Sequence, residues 1–109
     1  DMRELGLNST ELHCALANKI SNAQIDIILT VGPEMKHMCD QLPRTIRREH
    51  ADKSDDILRP LLDILQAGDI VLVKGSATCK MGKIVDRLID LKGASNISPK
   101  NKKEDLHVI

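Results

Sequence analysis

Lys74-Gly75-Ser76, directly after the apolar run Ile70-Val71-Leu72-Val73, is the strongest chemical signal in the chain. A cation at a strand end beside a helix start suits a carboxylate or a phosphate, because the unpaired N–H groups of a helix N-terminus carry partial positive charge. Gly75 permits close backbone approach to such a group. The same residues also fit a solvated lysine followed by a turn and a cap, and spacing alone leaves both readings open. A phosphate-binding P-loop over 75–83 is excluded. That motif needs four residues between its glycines, then Lys and Ser or Thr. Here six residues separate Gly75 from Gly82, and Ile84 follows Lys83.

His13-Cys14 and His37-x-Cys39 contain zinc-ligand residue types. A structural zinc site needs four convergent ligands, usually in paired short spacings. Cys14 and Cys39 instead fit apolar helix faces, and His37 fits an exposed one. No cysteine sits beside a histidine at a strand end in the manner of a nucleophile. Asp52, Asp55 and Asp56 suit the start of a helix, where carboxylates complement its dipole. No catalytic residue and no metal site is therefore expected within these residues.

The elements that must position Lys74 follow from apolar spacing. A helix is expected over 8–22, with Asn8 as its cap, Glu11 completing a capping box, and Leu12, Ala15, Leu16 and Ile20 as its stripe. The β-branched run 25–31 suits a strand buried on both faces. Gly32-Pro33-Glu34 leads into a second helix, with Met35, Met38, Cys39 and Leu42 inward and Pro43 as its stop. Residues 46–51 suggest a short strand near an edge. A third helix is expected over 52–67, with a kink or delayed start at Pro60 and Gly68 as C-terminal cap. Residues 70–73 form the clearest buried strand, and Met81, Ile84, Val85 and Leu88 mark a fourth helix. Domain organisation is expected as one domain over 1–92 and a polar, flexible tail over 93–109.

Alternating strands and helices imply a doubly wound α/β fold, its sheet mainly parallel and covered by helices on both faces. The order opens with a loop and a helix, so a first strand is expected to precede that loop and to be missing. A chain beginning with Asp1 rather than Met agrees with that expectation. Ligands of such folds bind at the carboxyl ends of the strands. Here that edge gathers residues 1–6, 30–33, 51–54 and 74–78.

Composition narrows the function further. The chain has 109 residues, with 16 basic against 16 acidic side chains and no Phe, Trp or Tyr. No net field draws it to nucleic acid or an anionic membrane, and no aromatic offers a base-stacking platform. No apolar run approaches a membrane span and no signal peptide opens the chain. Three widely spaced cysteines suggest reduced thiols in a cytoplasm.

Asp1-Met2-Arg3-Glu4-Leu5-Gly6 with His13, then Ala51-Asp52-Lys53, then 68–76 with Met81, resemble in order and spacing the C-terminal domain of the Mur ligases. The resemblance covers roughly residues 1–91 and implies a Rossmann-like domain that closes over the rest of a three-domain enzyme. In that family the N-terminal domain holds a UDP-sugar, and the central domain holds ATP and Mg2+. The substrate carboxylate is phosphorylated, and an incoming amine then displaces phosphate to form an amide. The partners implied are UDP-N-acetylmuramoyl-tripeptide, D-alanyl-D-alanine and ATP, together with the missing N-terminal and central domains. Gly32, Lys74, Gly75 and Ser76 become the candidate contacts to the dipeptide, and Asp1, Glu4 and Gly6 would line the cleft facing ATP. The family often has a basic residue after Lys-Gly-Ser, where this chain has Ala77. The alternative is a free-standing flavodoxin-like module that binds a small ligand or signals. A phospho-receiver of that shape needs an acidic pair after its first strand and an Asp ending its third. Thr30 and Val31 end the best such strand here.

Overall fold

The computed structural model describes residues 1–94 and 106–108. A 3-10 turn, Gly6–Asn8, runs into helix α1, Ser9–Asn22, and strand β1 follows at Ile27–Val31. Helix α2, Met35–Gln41, leads to β2, Arg47–Ala51, and then to α3, Ser54–Ile64. Strand β3, Val71–Val73, a second 3-10 turn, Ala77–Cys79, helix α4, Gly82–Ala94, and strand β4, Leu106–Val108, complete the order.

The result is a mixed α/β fold with short parallel ladders. β1 pairs in parallel with β2, Ile27 opposite Arg47 through Val31 opposite Ala51. β3 pairs in parallel with β4, Val71 opposite Leu106. The two ladders are separate. β1 is nevertheless covered on both faces, because successive side chains of a strand point to opposite sides. Ile28 joins a cluster built from Ala17 of α1 and Met38 and Leu42 at α2. Leu29 and Val31 join a larger one with Ile57 and Leu61 of α3, Val73, and Ile84 and Leu88 of α4. With no aromatic residue available, medium-sized aliphatic side chains make both clusters.

Several expectations need correction. Asn8 precedes α1 but makes no side-chain cap, because the 3-10 turn holds its backbone near helical values (φ −92°, ψ 9°) instead of the extended geometry of a cap. α3 starts at Ser54 and runs through Pro60, so its start is not delayed to the proline. It ends at Ile64, where Leu65 turns extended. Gly68 is therefore no helix cap. It takes φ +89° in a separate turn, closed by Asp69 N–H donating to the Gln66 carbonyl at 3.1 Å. The strand expected over 25–31 begins at Ile27. β3 is buried on one face only: Val73 is 7 % exposed, but Leu72 is 56 % exposed and Ile70 72 %. α4 continues through Ala94 and β4 lies inside the expected tail, whose residues 95–105 and 109 lie outside the described residues.

Candidate functional site

The carboxyl ends of β1 and β2 and the loop after β3 converge on an open cleft of about 370 Å³. Val31, Gly32 and Pro33 line it from the end of β1, and Asp52 to Asp55 from the end of β2 and the start of α3. Thr78, Cys79 and Lys80 come from the loop after β3, and Asp1 and Arg3 close it from the chain start. Arg3, Lys53 and Lys80 bring positive charge, and Asp1, Asp52 and Asp55 negative.

Asp1 joins three elements. Its amino group donates to the Val31 carbonyl at 3.0 Å, its Oδ1 accepts the Met35 N–H at 2.7 Å, and its carbonyl accepts the Cys79 thiol at 3.3 Å. One residue thereby extends the end of β1, satisfies an N–H at the start of α2, and tethers the loop after β3. Gly32 is required beside it for two reasons. Its φ is +107°, and a Cβ there would collide with the Asp1 carboxylate.

Of the other residues singled out from the sequence, Lys74, Gly75 and Ser76 lie outside the cleft lining, on the loop that carries it. Ser76 Oγ contacts Thr78 Oγ1 at 2.8 Å and Cys79 Sγ at 3.5 Å. A Cβ on Gly75 would sit 2.8 Å from Met81 Cγ, so this glycine lets the loop pack onto the start of α4. The hydrogen bond from Ser76 pulls the Cys79 thiol below its ordinary pKa, against the opposing effect of burial. Glu4 and Gly6 have left-handed backbones (φ 60° and 67°) that shape the approach to α1, and neither lines the cleft.

His13 is fully buried. Its Nδ1 donates to the Ser9 carbonyl at 2.7 Å, which leaves Nε2 to accept the Met2 N–H at 3.0 Å. Both ring nitrogens are occupied in tying the chain start to α1. Cys39 is buried, Cys14 half-buried and His37 exposed, and all three cysteines are free thiols. The described residues hold no group of three His, Cys, Asp or Glu able to bind a metal ion. No helix among them is long and apolar enough to cross a membrane.

Arg3 and Lys53 fall within the stretches 1–6 and 51–54 expected at the ligand-binding edge, though neither is an expected contact, whereas Lys80 and His50 lie outside those stretches. The motif Ala51-Asp52-Lys53 was the available signal, since it marks a strand end on the ligand-binding edge.

No protein-family model matches the chain, and no solved structure matches it. It is similar to the UDP-N-acetylmuramoyl-tripeptide–D-alanyl-D-alanine ligase of Rickettsia prowazekii (strain Madrid E), with 33 % identity over 86 residues. Those residues are 79 % of this chain and 19 % of the ligase, so the chain spans about a fifth of that relative's length. With the ordered motifs at 1–6, 51–53 and 68–76, this match makes the chain a relative of the Mur ligases, and it supports the relation to their C-terminal domain.

Proposed function

We propose that the chain is a C-terminal-domain segment of an ATP-dependent ligase that joins D-alanyl-D-alanine to UDP-N-acetylmuramoyl-tripeptide, and that its cleft holds the incoming dipeptide. The relative's name supports the reaction. The observation that carries the role of the cleft is its mixed charge at the strand ends: Arg3, Lys53 and Lys80 with Asp52, and with Asp55, whose Oδ1 lies 3.6 Å from Lys83 Nζ. A dipeptide zwitterion presents one carboxylate and one ammonium, and this lining offers partners for both. Holding that amine close to an activated carboxylate is catalysis by proximity, and domain closure is how such sites exclude water. A Rossmann-like, doubly wound sheet, completed by a strand ahead of the 1–6 loop, is part of the same reading.

The described residues do not fit a site for ATP and Mg2+ of their own. The P-loop spacing is wrong and no three-ligand cluster is present among them. Both ligands fall to the remainder of such an enzyme, and the segment's part is to bind and orient. A free-standing module finds no specific support, since the match is to a segment of a ligase.

Within this reading Lys53 contacts the dipeptide carboxylate from inside the cleft, beside Gly32. Lys74, Gly75 and Ser76 act from the rim by holding Thr78 to Lys80 in place. Sequence position favours Lys74 for that contact, and the cleft lining favours Lys53. Steady-state kinetics of Lys53→Ala and Lys74→Ala in the ligase that carries this segment test the proposal. A charge-assisted contact contributes about 1.5–3 kcal/mol, so Lys53→Ala should raise the dipeptide requirement about ten- to hundredfold with the ATP requirement unchanged. Lys74→Ala should change it less. A larger effect at Lys74 moves the contact to the rim loop, and a change within about twofold for both variants rejects the cleft as the dipeptide site.

A further inference from the structure

His50 stands directly opposite Thr30 where β1 and β2 approach their carboxyl ends. Its Nδ1 lies 2.8 Å from Thr30 Oγ1, on a threonine only 2 % exposed. Its other nitrogen, Nε2, is buried and makes no hydrogen bond among the described residues. A buried polar atom left without a partner costs about 1–3 kcal/mol, so it calls for an explanation. The Asp52 carboxylate supplies one, with Oδ1 3.5 Å from Nε2. The His50 side chain is 15 % exposed and that of Asp52 79 %, so the buried ring faces an exposed carboxylate that lines the cleft.

The tautomer decides whether this approach is attractive. With the proton on Nδ1, a lone pair on Nε2 faces a carboxylate oxygen and the two repel. With the proton on Nε2, Nε2–H faces Asp52 Oδ1, and the Thr30 hydroxyl, which also lies 3.5 Å from the Glu49 carbonyl, donates to the nearer Nδ1 at 2.8 Å. A small rotation of the exposed carboxylate then closes a charge-assisted hydrogen bond.

We propose that His50 is a positioning residue: anchored by Thr30 at Nδ1, it holds the Asp52 carboxylate through Nε2–H at the mouth of the cleft, where that carboxylate takes a primary ammonium group of the ligand. The ammonium as ligand rests on the dipeptide reading above, whereas the hold of His50 on Asp52 does not. An exposed aspartate that is already oriented binds a cation with less ordering cost than a freely rotating one.

NMR on the 109-residue chain tests both parts. Ring ¹⁵N signals of His50 should show the Nε2–H tautomer, and Asp52→Asn should shift the Nε2 signal. The side-chain ¹³C signal of the Asp52 carboxyl should move in His50→Leu and return in His50→Gln, whose amide places an N–H near the former Nε2. A histidine that only packs against Thr30 leaves the Asp52 carboxyl signal unmoved. That result, or the Nδ1–H tautomer, overturns the positioning role. Asp52→Asn changes an exposed side chain, so this arm stands even if His50→Leu fails to fold. Titration with D-alanyl-D-alanine should show binding weakened about two- to tenfold in His50→Leu and recovered in His50→Gln. The N-acetylated dipeptide, which lacks the ammonium, should bind without that dependence. Cleft amides unmoved by either peptide would overturn the ammonium as ligand, while the carboxyl signal would still decide the positioning role.

Discussion

Cys79 shows how much a single side chain at the cleft owes to its neighbours. Its thiol contacts Ser76 Oγ and donates to the Asp1 carbonyl, a residue 78 positions away in sequence. Ser76 supplies the largest share of the lowered pKa, by stabilising the thiolate more than the thiol. The thiolate is the reactive form, so alkylation of Cys79 should rise at a lower pH than for an ordinary cysteine. Removing that hydrogen bond in Ser76→Ala should move the midpoint upward. Rates of iodoacetamide labelling against pH, read at Cys79 by mass spectrometry, check this. An unmoved midpoint in Ser76→Ala would assign the shift to another neighbour.

Among the elements, α2 depends on a residue from the strand that follows it. Arg48 of β2 donates from Nη1 to the carbonyls of Cys39 at 2.7 Å and Leu42 at 2.9 Å, and from Nη2 to that of Pro43. The last carbonyls of a helix lack intrahelical partners, and a cation also complements their partial negative charge. Pro43 forces Leu42 into an extended backbone and ends the helix there. Arg48 therefore both satisfies the exposed end of α2 and fixes it against β2. Arg48→Met keeps most of the stem and removes the donors, and it should cost about 1.5–3 kcal/mol of stability by urea unfolding. A loss below about 0.5 kcal/mol would mean that water replaces the guanidinium without penalty.

At the scale of the whole molecule, stability rests on the two aliphatic clusters either side of β1, and unequally on the two faces of β3. Ile57 of α3 is 2 % exposed in the larger cluster, whereas Leu72 of β3 is 56 % exposed. Ile57→Ala should therefore cost about 2–5 kcal/mol, because a cavity remains where the side chain was. Leu72→Thr should stay within about 0.5 kcal/mol of the parent, as a surface change in a strand. Paired urea denaturation curves give both values. Comparable losses for the two variants would show that the Leu72 face is covered in solution.

The sequence by itself determined the order of the elements from α1 to α4 and the inner faces of α2, α3 and α4. By contrast, α1 buries His13 and Ala17 instead of the expected Leu12 and Ala15, and β4 lies in the expected tail. Apolar period is a local property, so Met38, Cys39 and Leu42 could be placed together on α2, and Ile57 and Leu61 on α3, before any fold was known. The motifs at 1–6, 51–53 and 68–76 also carried the family relation, since they are read along the chain. Only the tertiary structure decided which side chains share the cleft. Asp1 meets Val31, Met35 and Cys79 across separations of 30, 34 and 78 residues, and no local spacing encodes such contacts. Lys53 lines the cleft where Lys74 drew attention, because the end of β2 turns into α3 at that edge. His50 falls within the short strand expected over 46–51, and its meaning appears only once Thr30 lies opposite it. Ile70 and Leu72 show the same limit from the other side. Their residue types announce a buried strand, but burial depends on what packs against a face, and the fold leaves theirs exposed.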